Sequence, residues 1–155
     1  MKPKLLYLFK TGRKLIYKND EYSNDFMYGY DFFKNRGYHI NFFDILDLKI
    51  KYKLIEWIKI KILSRYFKLN SNFPELISIS KIINKYDILI CTTNSIAFAA
   101  SHLKYKKIIF PKIIFINQGI LSRIYFLKSN TLKYILLKKY LRKNFSNIDL
   151  IIHLG

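Results

Sequence analysis

Five short runs of apolar, strand-prone residues recur along this chain, and the segments between them are long enough to be helices. The runs are Lys4–Phe9, Tyr38–Ile45, Asp87–Cys91, Lys112–Ile116 and Ile148–His153. A strand that reads as a near-continuous apolar run, rather than an alternating one, is covered on both faces. Neighbouring parallel strands need a crossover of about a dozen residues or more, which these spacings allow. The pattern predicts an α/β chain with a doubly wound, mostly parallel sheet, its connections right-handed and its helices on both faces. At 155 residues, with 51% hydrophobic and 17% aromatic residues, the chain reads as a single Rossmann-like domain over 1–155. In such sheets ligands bind at the carboxyl ends of the strands.

Helix signals fit between the runs. Tyr22–Arg36 has Ser23 or Asn24 to cap it and Gly37 to stop it, with Phe26, Tyr30 and Phe33 on one stripe. Pro74 and Glu75 open a helix extending to about Lys85. The polar run Thr92–Ser95 begins a compact helix to Leu103, where Ala97, Ala99 and Ala100 allow close packing. A long basic helix is expected from about Leu121 to Lys143. Leu48–Leu69 carries an apolar stripe of Ile55, Ile58, Ile62, Tyr66 and Leu69 and is also read as a helix, although Ile58–Ile62 alternates like a strand.

The net charge is +18, from 28 basic against 10 acidic residues. Two origins compete. The chain holds 23 Lys, 26 Ile and no Val, the signature of an AT-rich coding sequence. Such a bias does not explain the shortage of acids, and a basic surface for an anionic membrane or nucleic acid does. The segment around Lys49, Lys51, Lys53, Trp57, Lys59, Lys61 and Arg65 places aromatic rings among lysines, which suits either a surface helix whose lysines stay in water or an interfacial contact with an anionic membrane. Nucleic acid is the less favoured partner, because no recognition motif accompanies the charge. No apolar stretch reaches membrane-span length, and the amino terminus has no signal-peptide pattern, which points to a cytoplasmic protein, at most peripheral on the inner face of the plasma membrane.

Catalytic motifs are sparse. The dinucleotide fingerprint needs three spaced glycines after the first strand, and only Gly12 is there. A phosphate loop ending in Gly-Lys-Ser/Thr is missing. His39, His102 and His153 lack metal-ligand spacing, so no metal site is assigned; Cys91, the single cysteine, lies inside a strand run and reads as a core thiol. Asp44 and Asp87 read as structural. The better candidates follow strands. Gly12 permits close approach of backbone amides to a ligand, and Arg13 beside it could pair with a phosphate. Asn117, Gln118 and Gly119 follow the fourth strand, where the two amide side chains could hydrogen-bond sugar hydroxyls.

Four stretches together resemble one family. They are the opening Lys4–Phe9 strand with Gly12 after it, Phe26–Ile40 with its Tyr28-Gly29 pair and Gly37 before a strand, Tyr86–Cys91 with Asp before its strand, and Asn147–Ile152. This arrangement resembles the amino-terminal, acceptor-side domain of GT-B glycosyltransferases of the family 4-like kind. The resemblance implies a Rossmann-like half of a two-domain transferase, with the nucleotide-sugar-binding domain absent from this chain. It implies transfer of a sugar from a nucleotide-activated donor to a polysaccharide or lipid-linked acceptor in cell-surface polysaccharide biosynthesis. The donor is then a substrate and no resident cofactor is expected, and this half alone is expected to be inactive. Gly12, Arg13 and Asn117–Gly119 would line the interdomain cleft. The family's doubled glycine after strand one is reduced here to Gly12, and its loop histidine after strand four is absent, so no catalytic residue is assigned. The alternative is a stand-alone basic α/β binding module for an anionic membrane or nucleic acid. A flavodoxin-like or response-regulator-like domain is a further rival, disfavoured by the basic charge and by the missing acidic cluster after strand one.

Overall fold

A computed structural model describes residues 1–10, 12–13, 27–45, 48, 58, 72–117 and 132–154. Its described elements are β1 (Leu5–Phe9), α1 (Tyr30–Asn35), β2 (Ile40–Asp44), α2 (Phe73–Ser78), α3 (Ser80–Ile83), β3 (Ile88–Cys91), α4 (Asn94–Tyr105), β4 (Lys112–Asn117), α5 (Leu132–Phe145) and β5 (Leu150–His153). The five strands form one sheet in the order β2-β1-β3-β4-β5, and every pairing is parallel. All five apolar runs therefore become strands, each within two residues of the expected ends.

β1 is buried at every residue because it is the second strand in, covered on both faces. Leu6 and Leu8 point to one side and join Leu89, Cys91, Ile113 and Phe115 from β3 and β4. Helices α2, α3 and α4 close that side with Leu76, Ile83, Ile96 and Leu103, and Phe145 of α5 adds to it. The small residues Ala97, Ala99 and Ala100, all buried, let α4 lie close to the strands. Tyr7 and Phe9 point the other way, into a cluster with Met27, Tyr30, Ile90 and Ile116. Burying one such side chain is worth about 1.5–3 kcal/mol. The chain winds from β1 to β2 across one face and from β2 through β5 across the other. Its switch point falls between β1 and β3.

Two aspartates set how the strands meet. Asp87, just before β3, accepts the Lys4 N–H at 2.7 Å while its own N–H donates to the Lys4 carbonyl. Asp149, just before β5, repeats the device: its carboxylate accepts the Ile113 N–H at 2.7 Å and its own N–H donates to the Ile113 carbonyl. Lys104 from α4 then pairs with Asp149 at 2.5 Å. Both are structural, as expected for Asp87.

The helices differ from the sequence pattern in two places. The segment Pro74–Lys85 is two short helices, α2 and α3, meeting at Ile79. Ile79 is buried at 4% exposure, so the break keeps its side chain in the core while the axis turns. Helix α1 starts only at Tyr30, because Tyr28 (φ 49°) and Gly29 (φ 78°) both adopt left-handed backbone. Ser23, Asn24 and Phe26 lie outside the described residues, as does the front of the helix expected from Leu121. The expected stop at Gly37 holds: its φ is 72°, and N–H groups of Gly37 and Tyr38 donate to the carbonyls of Lys34 and Phe33.

Replacing Gly37 by Ala should lower stability by about 1–2 kcal/mol in urea unfolding, since the Cβ would meet only ordinary contacts and the penalty is the left-handed backbone. Asp149 gives a pH signature. Partial burial pushes its carboxyl up, but hydrogen bonds from Lys104 and Ile113 and the charges of Lys104 and Lys112 outweigh that and hold it below 3.8. A depressed folded value stabilises above the unfolded value and is lost as pH falls through the folded one. The stability gap between the wild type and Asp149→Asn should be constant near neutrality and close only below about pH 3.8. A gap that closes near neutral pH would contradict this assignment.

Candidate functional site at the carboxyl edge of the sheet

The carboxyl ends of five parallel strands open onto one edge, and polar residues end or follow each of them. After β1, Gly12 is exposed with φ 66°, and a Cβ there would meet nothing within 4 Å. The glycine is thus required by backbone shape and leaves open space above it. Arg13 does not project freely. Its guanidinium lies 5.4 Å from the Phe9 ring centroid and 5.0 Å from that of Tyr28, and its Nη2 donates to the Tyr28 hydroxyl at 3.3 Å. Cation–π contact and this hydrogen bond hold the group in one orientation.

Tyr28 is itself held. The Tyr7 hydroxyl donates to the Tyr28 carbonyl at 3.0 Å, and Phe9 stacks on the Tyr28 ring at 6.4 Å. Burial, with Tyr30 adding to it, pushes the Tyr7 hydroxyl well above its ordinary range, so Tyr7 acts only as a neutral donor. The layer beneath Arg13 is therefore aromatic and rigid. Tyr28 entered the sequence reading only as half of the Tyr28-Gly29 pair in the resemblance and not as a site residue; its left-handed backbone beside Gly29 is the feature that marks it.

Asp44, the last residue of β2, is buried and in register with Phe9. After β3, the Thr92 hydroxyl donates to the Leu8 carbonyl at 2.9 Å and ties β3 to β1 where the winding reverses. Thr93 then caps α4 in extended backbone without a side-chain capping bond, and its hydroxyl lies 3.3 Å from that of Ser95. The first turn of α4 therefore lies at this edge, with Thr93 half-buried and Ser95 buried.

β4 and β5 supply a pair that spacing alone did not reveal. Asn117, 3% exposed, places its amide nitrogen 3.0 Å from Nδ1 of the exposed His153. The register of β4 and β5 puts these two residues side by side. Asn117 was a candidate on its own and His153 was not, and only the sheet brings them together. Gln118 and Gly119 lie outside the described residues, and so do Lys49, Lys51, Lys53, Trp57, Lys59, Lys61 and Arg65.

The other titratable candidates lie away from this edge or in the core, with His39 exposed, His102 half-buried and Cys91 buried. His39 stacks on Tyr86, with centroids 6.1 Å apart, and His102 meets Phe73 edge-on at 4.8 Å. Cys91 is fully buried and burial pushes its thiol far up, as a core role requires. Among the described residues no group of three His, Cys, Asp or Glu is arranged to hold a metal, and no helix is long and apolar enough to cross a membrane.

With the Asn117 amide donating, His153 Nδ1 is the acceptor and its proton sits on Nε2. Nitrogen NMR of the neutral protein should show the Nε2–H tautomer, and Asn117→Ala should return the ring to a mixture; a Nδ1–H tautomer in the wild type would contradict the pairing. Comparison with protein families, with curated proteins and with solved structures finds no match for this chain.

Proposed function

We propose that the chain is the acceptor-side half of a glycosyltransferase that uses a nucleotide-activated sugar donor. The observation that carries the reading is the polar carboxyl edge: Arg13 on its aromatic base at β1, Thr93 at the start of α4 after β3, and Asn117 with His153 at β4 and β5. β1 and β4 flank β3 two strand spacings apart, about 10 Å, a span comparable to one sugar residue. Side-chain amides, imidazole and hydroxyls offer both donors and acceptors, which suits hydroxyl-rich ligands. Arg13, fixed and cationic, suits a phosphate group on donor or acceptor. The family resemblance noted above points the same way, as does the missing glycine pattern of a dinucleotide site.

In this reading the acceptor hydroxyl attacks the anomeric carbon of the donor, the bond to the nucleoside diphosphate breaks, and the hydroxyl proton leaves. The residues described here orient the acceptor and exclude water. Donor binding falls to a second domain. The polysaccharide or lipid-linked acceptor would lie across β1, β3 and β4.

The test is sugar transfer by the full-length protein from a panel of labelled nucleotide sugars to cell-surface glycan and lipid fractions. Transfer is expected, and Arg13→Ala should reduce kcat/KM by about 10–100-fold, the loss of one charged hydrogen bond. An Arg13→Ala enzyme as active as the wild type, or transfer by the isolated 155-residue chain, would contradict the proposal.

A further inference from the structure

The opposite edge of the sheet holds a second feature that no sugar-transfer role uses. The link from α4 to β4 reads Lys104-Tyr105-Lys106-Lys107-Ile108-Ile109-Phe110-Pro111-Lys112. Ile109 is fully buried, yet its neighbours Ile108 and Phe110 are 39% and 68% exposed, and Tyr105 is 45% exposed.

This exposure is built in. The Asn84 side chain grips the loop twice: its Nδ2 donates to the Ile108 carbonyl and its Oδ1 accepts the Phe110 N–H, both at 3.0 Å. The loop opens with a helix stop in which Ile108 N–H donates to the Leu103 carbonyl and Lys107 N–H to that of Lys104. That stop places its middle residue in left-handed backbone, which glycine favours, and here the residue is Lys107 at φ 57°. The same stop after α1 does use a glycine, Gly37.

Cations surround the apolar tip. Lys85, Lys106, Lys107, Lys112, Arg142 and Lys143 are all exposed at this edge, and the Lys143 and Lys106 ammonium groups lie 4.5 and 5.8 Å from the Tyr105 ring centroid. The two carboxylates in these segments, Asp87 and Asp149, are engaged in the strand clasps.

We propose that this loop docks the protein on an anionic lipid surface, with Phe110 and Ile108 entering the interface and the lysines meeting headgroups. Charge complementarity favours that partner, and the exposed aliphatic Ile108 next to Phe110 distinguishes it from nucleic acid, where planar rings would be needed to stack bases. The proposal is independent of the sugar-transfer reading.

Co-sedimentation tests it with vesicles of mixed phosphatidylcholine and phosphatidylserine, and with single-stranded RNA as competitor. Salt-sensitive vesicle binding is expected, and Ile108→Ser with Phe110→Ser should abolish most of it without altering charge. Lys107→Gly should weaken vesicle binding about fivefold while raising the urea midpoint, because glycine relieves the backbone; a folding defect cannot produce that combination. Lys138→Gln, on the exposed part of α5, removes the same charge and should change binding less. Undiminished binding by the double serine variant, an equal loss with Lys138→Gln, or RNA binding without vesicle binding would each overturn the proposal.

Discussion

Parallel sheets lack the tight turns that fix register in hairpins. In this chain two aspartates supply part of what a turn would. Asp87 clasps the residue that leads into β1 and Asp149 clasps the second residue of β4, each by accepting one N–H and returning another to the same residue's carbonyl. A slip of one residue would break both bonds of a clasp and turn a buried face outward. The alignment of Phe9 with Asp44, of Leu8 with Cys91 and of Asn117 with His153 follows from that register. The carboxyl edge has its shape because the amino edge is pinned.

The two edges then do different work. At the carboxyl edge, polar side chains are held by layers behind them: Tyr7 holds Tyr28, and Tyr28 holds Arg13. At the amino edge, Asn84 holds a loop so that apolar side chains stay outside. A strand of five or six residues spans about 17–20 Å. If the amino edge rests on lipid, the carboxyl edge stands off by about that distance. A glycan chain extending from the surface meets such an edge more readily than a headgroup lying in the bilayer plane.

β1, β3 and β4 were legible because burial on both faces leaves apolar runs, whereas the edge strands β2 and β5 carry similar runs although they stay partly exposed. Gly37 was legible as a helix stop because its left-handed backbone leaves few alternatives. The break at Ile79 was not legible, since Ser78-Ile79-Ser80 carries neither proline nor glycine. For the site, Gly12, Arg13 and Asn117 were found by position after a strand. What Arg13 rests on, and the pairing of Asn117 with His153, depend on contacts 15 and 36 residues apart in sequence. The amino-edge loop was hidden for a different reason. Its lysines merge into a chain rich in lysine throughout, and only the outward placement of Ile108 and Phe110 separates it from that background.

The most direct measurement is an amide chemical-shift map of the chain titrated with surface oligosaccharides. Ligand-dependent shifts should gather at Gly12, Arg13, Thr93–Ser95, Asn117 and His153 and leave Lys106–Lys112 unmoved. Shifts confined to the amino edge, or none at the carboxyl edge at saturating ligand, would contradict the account.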